Sequence, residues 1–269
     1  MRRKLFVQST SPFLVPAAAV AAASGPLDLD EMFRIQTSPL AYPAGVAPGY
    51  NASSCPVQAV TMSCVSTGGN MLDVLRGGPG TLVGSNMTGG IFREGAGTTF
   101  TTTVEWITFP FPNTTNPQGM SAAAIFTRTA TGSNDVILTS GDDFIQGCGL
   151  SISGSQMQAD YINVGSATFP LNSIVNGQPY FAAASFHTSA TYAVLKNLNT
   201  GILLTMTTTG GDTRTSGANS KCKVGAENFA NWWFHGRIHA GLIARAPTSL
   251  QTLISLADNP WSLWYPRAF

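Results

Sequence analysis

Beyond about residue 90, strand-length stretches rich in Val, Ile, Thr, Phe and Trp recur between turns marked by Gly, Asn and Pro. That spacing constrains the chain more than any other feature, because serial short strands with frequent turn signals specify an antiparallel sandwich or barrel. Thr98 to Phe109, Ala122 to Arg128, Asp135 to Thr139, Leu150 to Ser153, Gln156 to Val164 and Phe181 to His187 are successive candidate strands. Tyr192 to Lys196 and Ile202 to Thr207 flank Asn197-Leu198-Asn199-Thr200-Gly201, whose Asn and Gly residues suit the positive φ of a tight hairpin loop.

Phe234 to Arg245 alternates. Phe234, Ile238, Ala240, Leu242 and Ala244 are expected to face a core, and His235, Arg237, His239 and Arg245 to face outward. Thr248-Ser249-Leu250-Gln251 then reads as a capping box with Thr248 as the cap. Leu250, Leu253, Ile254 and Ala257 form one helical face that Pro260 closes.

Before residue 90 the chain is broken by prolines and Gly pairs. Val57 to Val65 and Asn70 to Leu75 are candidate strands, and Leu29 to Ile35 is a candidate helix. Residues 1–30 are read as an extended arm and 31–269 as the sandwich.

The arm begins Arg2-Arg3-Lys4, and an apolar run from Phe13 ends in Ala21-Ala22-Ala23, imitating a secretory signal. The polar stretch Gln8 to Pro12 and then Pro16 interrupt it, so we expect the arm to be retained. It is also too short and too broken to span a bilayer. Arg2, Arg3, Lys4, Phe6 and Phe13 are its candidate attachment residues.

Charged residues make up 10% of the 269 and the formal net charge is +1. Such a balance supplies no basic field for nucleic acid and no acidic field for cations. The four cysteines, Cys55, Cys64, Cys148 and Cys222, show no zinc-site spacing. They are read as buried reduced thiols of a protein assembled in a reducing cytoplasm, ahead of a disulfide framework.

The C-terminal part resembles laminin-G-like domains of the concanavalin A-like superfamily. The residues that carry the resemblance are Tyr192 to Gly201, Val224-Gly225-Ala226 and Phe234-His235-Gly236-Arg237-Ile238, followed by a short helix. The match is clearest over 92–269. The closing Asn259-Pro260-Trp261 is similar to the ending of such domains encoded by bacteriophages.

The resemblance implies an all-β antiparallel jelly-roll sandwich. It also implies a virion structural protein, assembled in the bacterial host cytoplasm and bound through its arm to capsid, neck or tail proteins. Capsid decoration, a head fibre or a tail accessory would all fit, and a homo-oligomer is expected. The alternative is a carbohydrate-binding adhesin or receptor-binding protein whose partner is a host-surface glycan. Neither nucleic acid nor a membrane is expected as a partner.

Glycoside hydrolases on this fold place acid and nucleophile on one strand as E-x-D-x-E, holding two carboxyl groups about 5 Å apart. Here Glu31, Glu94, Glu105 and Glu227 are scattered, so the expectation is no enzyme, no catalytic residue and no cofactor. His235 and His239 would stand about 13 Å apart on a strand, too far to share a metal ion. Asp142 and Asp143, with Asp160, are too few carboxylates for a calcium cage, although calcium stays open. Trp232, Trp233, His235, Arg237 and His239 are the candidate ligand contacts, with the aromatics able to stack on a sugar or simply to pack.

Overall fold

The computed structural model describes residues 59–64, 70–73, 78–101, 105–110, 119–131, 134–140, 148–161, 165–209, 221–227, 232–244 and 247–260. The expected arm with Arg2, Arg3, Lys4, Phe6 and Phe13, the candidate helix at 29–35, Cys55, Asp142, Asp143, Arg245 and Trp261 lie outside the described residues.

The strands run in chain order as β1 (Ala59–Cys64), β2 (Met71–Asp73), β3 (Gly78–Pro79), β4 (Thr81–Val83), β5 (Thr88–Phe92), β6 (Gly95–Phe100) and β7 (Trp106–Pro110). Next come β8 (Gly119–Arg128), β9 (Asn134–Ser140), β10 (Cys148–Ser153), β11 (Gln156–Tyr161), β12 (Gly165–Thr168), β13 (Pro179–His187) and β14 (Ala190–Asn197). The chain continues through β15 (Leu203–Thr209), β16 (Lys221–Val224), β17 (Ala226–Glu227), β18 (Trp232–Trp233), β19 (Gly236–Ala244) and helix α1 (Leu250–Asp258).

Two antiparallel sheets stack. The first runs β15-β14-β13-β8-β19-β1-β2-β3, with β6 sharing the β1 side of β19 and β5 paired to β6; the second runs β12-β11-β10-β9-β16-β7-β4. Alternation on each strand builds the space between them. Met120, Ala122, Ala124 and Phe126 of β8, and Tyr180, Ala182, Ala184 and Phe186 of β13, meet Leu138, Leu150, Ile152, Met157 and Val224 of the second sheet.

The first sheet is buried on its other face too. Ala123, Ile125, Phe181, Ala183 and Val194 pack with Leu253 and Ala257 of α1. Double coverage explains why β8 reads as an apolar run and not as an alternation.

Three sequence expectations need correction. Thr98 to Phe109 is two strands: β6 belongs to the first sheet and β7 to the second, and the crossing is closed by Glu105, whose Oε2 accepts from Thr101 N at 2.8 Å.

The even alternation of β19 is broken by a bulge at His239. Ile238 pairs with Phe126 and Ala240 with Ile125, leaving His239 unopposed. Ile238 and Ile243 therefore point between the sheets, while Ala240, Leu242 and Ala244 point toward α1.

The helix cap is Ser249, not Thr248, with Ser249 Oγ accepting from Thr252 N at 3.1 Å. Thr248 is committed to the sheet beneath: its N donates to Ser185 Oγ at 2.6 Å and its carbonyl accepts from His187 Nε2 at 3.0 Å.

The hairpin at 197–201 forms as expected, with Gly201 at φ 75° and Asn197 Oδ1 accepting from Asn199 N and Thr200 N. Cys148 and Cys222 are buried on strands either side of Ser140. Two strand spacings, about 10 Å, separate them, which is too far for a mutual disulfide.

Candidate functional site

The connections β8 to β9, β10 to β11, β12 to β13 and β14 to β15 all lie at one end of the sandwich, as does the start of β19. Chemistry concentrates there. Arg128 ends β8 and Asp135 is the second residue of β9, seven residues on but in the opposite sheet, and both are buried. Arg128 Nε donates to Asp135 Oδ2 at 2.6 Å, and its terminal nitrogens reach the same carboxylate and the Gly154 carbonyl.

The second oxygen, Asp135 Oδ1, lies 2.8 Å from His235 Nδ1, and the His235 side chain is 27% exposed. One buried carboxylate thus binds a guanidinium on one side and orients an imidazole on the other. With Nδ1 fixed by the carboxylate, Nε2 across the ring is the nitrogen left for a ligand: an acceptor when the ring is neutral, a donor when it is protonated.

Local backbone geometry places His235. A Cβ at Gly236 would sit 2.2 Å from the Thr127 carbonyl oxygen, so only glycine lets β19 enter this close to β8. Gly225, at φ 90°, accepts from Phe234 N at 2.8 Å, and a Cβ there would strike the Phe100 ring. Thr129 N donates to the His235 carbonyl at 2.9 Å. The imidazole therefore sits on a backbone clamped from both sides.

Trp232 and Trp233 form β18, a short ribbon with β17. The Trp233 ring stacks on Trp106 with centroids 5.7 Å apart and planes 20° from parallel, and both side chains are half-buried. This pair contributes aromatic surface two residues from His235.

The turns around it are tied together. Asn176 Nδ2 donates to Thr131 Oγ1, Gly177 N to the Arg128 carbonyl, Asn172 N to Ser155 Oγ and Asn199 Nδ2 to Gln178 Oε1. Val175 N donates to Tyr180 Oη at 2.9 Å, linking this platform to the aromatic core. Leu171, Val175 and Ile202, on these turns, are 72%, 53% and 60% exposed.

The structure divides the five candidate contacts. Trp232, Trp233 and His235 belong to this end. Arg237 lies over the Phe92 ring, 4.2 Å from its centroid, on the other side of the β19 entry.

His239, expected to face outward, is fully buried, because the bulge turns it inward. Its Nδ1 lies 3.2 Å from the Ala96 carbonyl oxygen, its ring meets Phe92 edge-on, and Gly97 leaves the room it occupies. His235 and His239 have separate partners.

Sequence reasoning missed Asp135, Arg128 and Trp106. An aspartate opening the apolar run Val136-Ile137-Leu138 was a signal for a paired buried charge, but its partner His235, a hundred residues away, left none.

Asp160, proposed for calcium, accepts from Ser151 Oγ at 2.8 Å. Burial pushes its carboxyl above the usual range, partly countered by that hydrogen bond. Among the described residues no group of three or more His, Cys, Asp or Glu side chains is placed to hold a metal ion, and no helix is long and apolar enough to cross a membrane.

No protein-family model and no curated protein matches the chain. Solved structures do. Domain 4 of the extracellular arabinanase AbnA from Geobacillus stearothermophilus, in complex with arabinotriose, is similar at TM-score 0.51 and 16% identity, over 67% of this chain and 88% of that one.

The binding domain of botulinum neurotoxin serotype D gives TM-score 0.57 at 10% identity, covering 77% of this chain and 51% of the toxin domain. Tailspike protein 2 of Escherichia coli O157:H7 bacteriophage CAB120 gives 0.50 at 14%, covering 70% of this chain and 28% of the tailspike. These likenesses and the sheet order above give the fold: a two-sheet antiparallel sandwich of the concanavalin A-like kind.

Proposed function

We propose that the chain is a non-catalytic carbohydrate-binding module whose ligand sits at the loop end of the sandwich. The observation that carries this reading is the Asp135-oriented His235, two residues along the chain from the Trp233 ring that stacks on Trp106. A sugar needs both elements, a flat apolar surface for its C–H face and a fixed polar atom for a hydroxyl. The arabinotriose complex of the AbnA domain supports the reading by likeness of fold, which alone does not fix function. The burial of Glu105, whose Oε2 accepts from Thr101 N, supports the non-catalytic reading.

The test is a glycan array followed by titration of the strongest glycan. Trp233→Ala and His235→Ala are each expected to weaken binding at least about tenfold, roughly 1.4 kcal/mol, with unchanged melting cooperativity. An array with no bound glycan, with or without calcium, overturns the reading.

The tailspike likeness and the Asn259-Pro260-Trp261 ending favour one setting for such a module. We propose that it is displayed on a bacteriophage particle, held by the arm that carries Arg2, Arg3, Lys4, Phe6 and Phe13. Mass spectrometry of purified particles is expected to find the chain at fixed stoichiometry with capsid, neck or tail proteins, and its absence from them would end this assignment.

A further inference from the structure

We infer that the glycan taken by this end is uncharged and presents a methyl- or acetyl-bearing sugar. This deepens the carbohydrate reading and rests on it. A cation would favour an acidic sugar, and among the described residues the turns of this end offer no lysine or arginine. Arg128 is buried and its donors go to Asp135 and the Gly154 carbonyl.

The connecting segments 98–106, 129–134, 153–156, 168–179, 197–203 and 224–236 contain no lysine and no arginine. Of the cations that adjoin these segments, Lys196 bonds Asp258 at 3.0 Å, Arg237 lies over Phe92 and Lys223 is buried. A bound carboxylate or sulfate would meet apolar tips that remove water without replacing its hydrogen bonds.

The same tips supply attraction for something else. Leu171, Val175 and Ile202 are well exposed on turns pinned by the Asn172, Asn176, Gln178 and Asn199 hydrogen bonds, so they stand out without being free to fold back. A hydroxyl gains nothing against such a surface, whereas a methyl or acetyl group buries apolar area on it. The polar partners left for the ring are His235 Nε2 and the carbonyls and amides of the turns.

The experiment is an array printed in matched sets, each neutral glycan beside its sialylated, sulfated or uronate counterpart and beside its deoxy or O-acetylated form. Titration of the full chain then measures the pairs that bind. The neutral member is expected to bind at least about tenfold more tightly than the acidic one, and the deoxy or acetylated form several-fold more tightly than its parent.

Val175→Lys and Leu171→Lys, at exposed positions that tolerate the longer side chain, are expected to narrow or invert the neutral-to-acidic ratio. Their melting curves report that the sandwich is intact. Acidic glycans binding the unmodified chain as tightly as neutral ones overturns this inference while leaving carbohydrate binding in place. Indifference to the methyl or acetyl group overturns its second half. No binding to any member removes the reading beneath it as well.

Discussion

The central strands of the first sheet are buried on both faces and mix alanines with larger side chains on each, yet aromatic rings in mutual contact gather on one face alone among the described residues. On the face toward the second sheet, beside Ala122, Ala124, Ala182 and Ala184, rings gather at the loop end. Phe100 meets Phe234 edge-on, Phe234 meets Phe126 edge-on, and Phe126 stacks on Tyr180, with centroids 5.9 to 6.3 Å apart. The face toward α1 sets Ala123, Ala183, Ala240 and Ala244 among Ile125, Phe181, Val194 and Leu242, and is bordered by a polar seam of Ser121, Ser185, His187 and Thr248.

Rings fill the volume between two curved sheets, whereas alanines let a helix approach closely and leave its position to hydroxyls. Volume sets the first contact and register the second. The candidate site grows from the ring-filled side, since Phe234 leads into His235 and Tyr180 holds the turn that bears Val175.

The largest expected effect tests the ring side. Phe126→Ala, which removes the ring shared by Tyr180 and Phe234, should cost about 3–5 kcal/mol in urea denaturation. A loss of under about 1 kcal/mol would mean that the rings are not the main contributors.

Next is the opposite change on the alanine side. Ala183→Leu should cost about 1–3 kcal/mol by overpacking, and amide exchange should rise first in residues 250–258, because the helix is what the larger side chain displaces. Ser249→Ala should cost about 1 kcal/mol by loss of the helix cap, again seen in the exchange of that helix while β8 and β13 stay protected.

The smallest effect lies outside both faces. Asp160 has a raised folded-state pKa, so its ionised form is disfavoured by folding at neutral pH, and that penalty is relieved as pH falls through the raised value toward 3.8. Asp160→Asn should therefore be the more stable protein at neutral pH, with the difference shrinking on acidification. A difference that grows as pH falls would reverse the assignment.

Strand identity was legible where local chemistry determines it. The 190–209 hairpin declares itself through Asn197 and Gly201, and the helix after β19 through the spacing of Leu250, Leu253, Ile254 and Ala257. Legibility failed where the deciding partner is remote. Thr98 to Phe109 has one uniform pattern, and only Glu105 folding back on Thr101 N divides it between two sheets.

The bulge at His239 is invisible to a period-2 count because residues on both faces of β19 are apolar. Thr248 reads as the cap from sequence, but the sheet claims it and Ser249 takes the position. For the site, the tryptophans and His235 stood out by residue type, but the carboxylate that orients the imidazole was hidden among strand residues on another sheet.

β19 lies between β8 on one side and β1 and β6 on the other. A ribosome therefore delivers the keystone of the first sheet among the last segments of the described chain, after both its flanking edges have emerged. Until then the nascent polypeptide carries open hydrogen-bonding rims on β8 and β1, the kind that recruit chaperones or pair with a neighbouring copy. Completion should be slow and nearly all-or-none, since so many pairings close over long stretches of sequence at once.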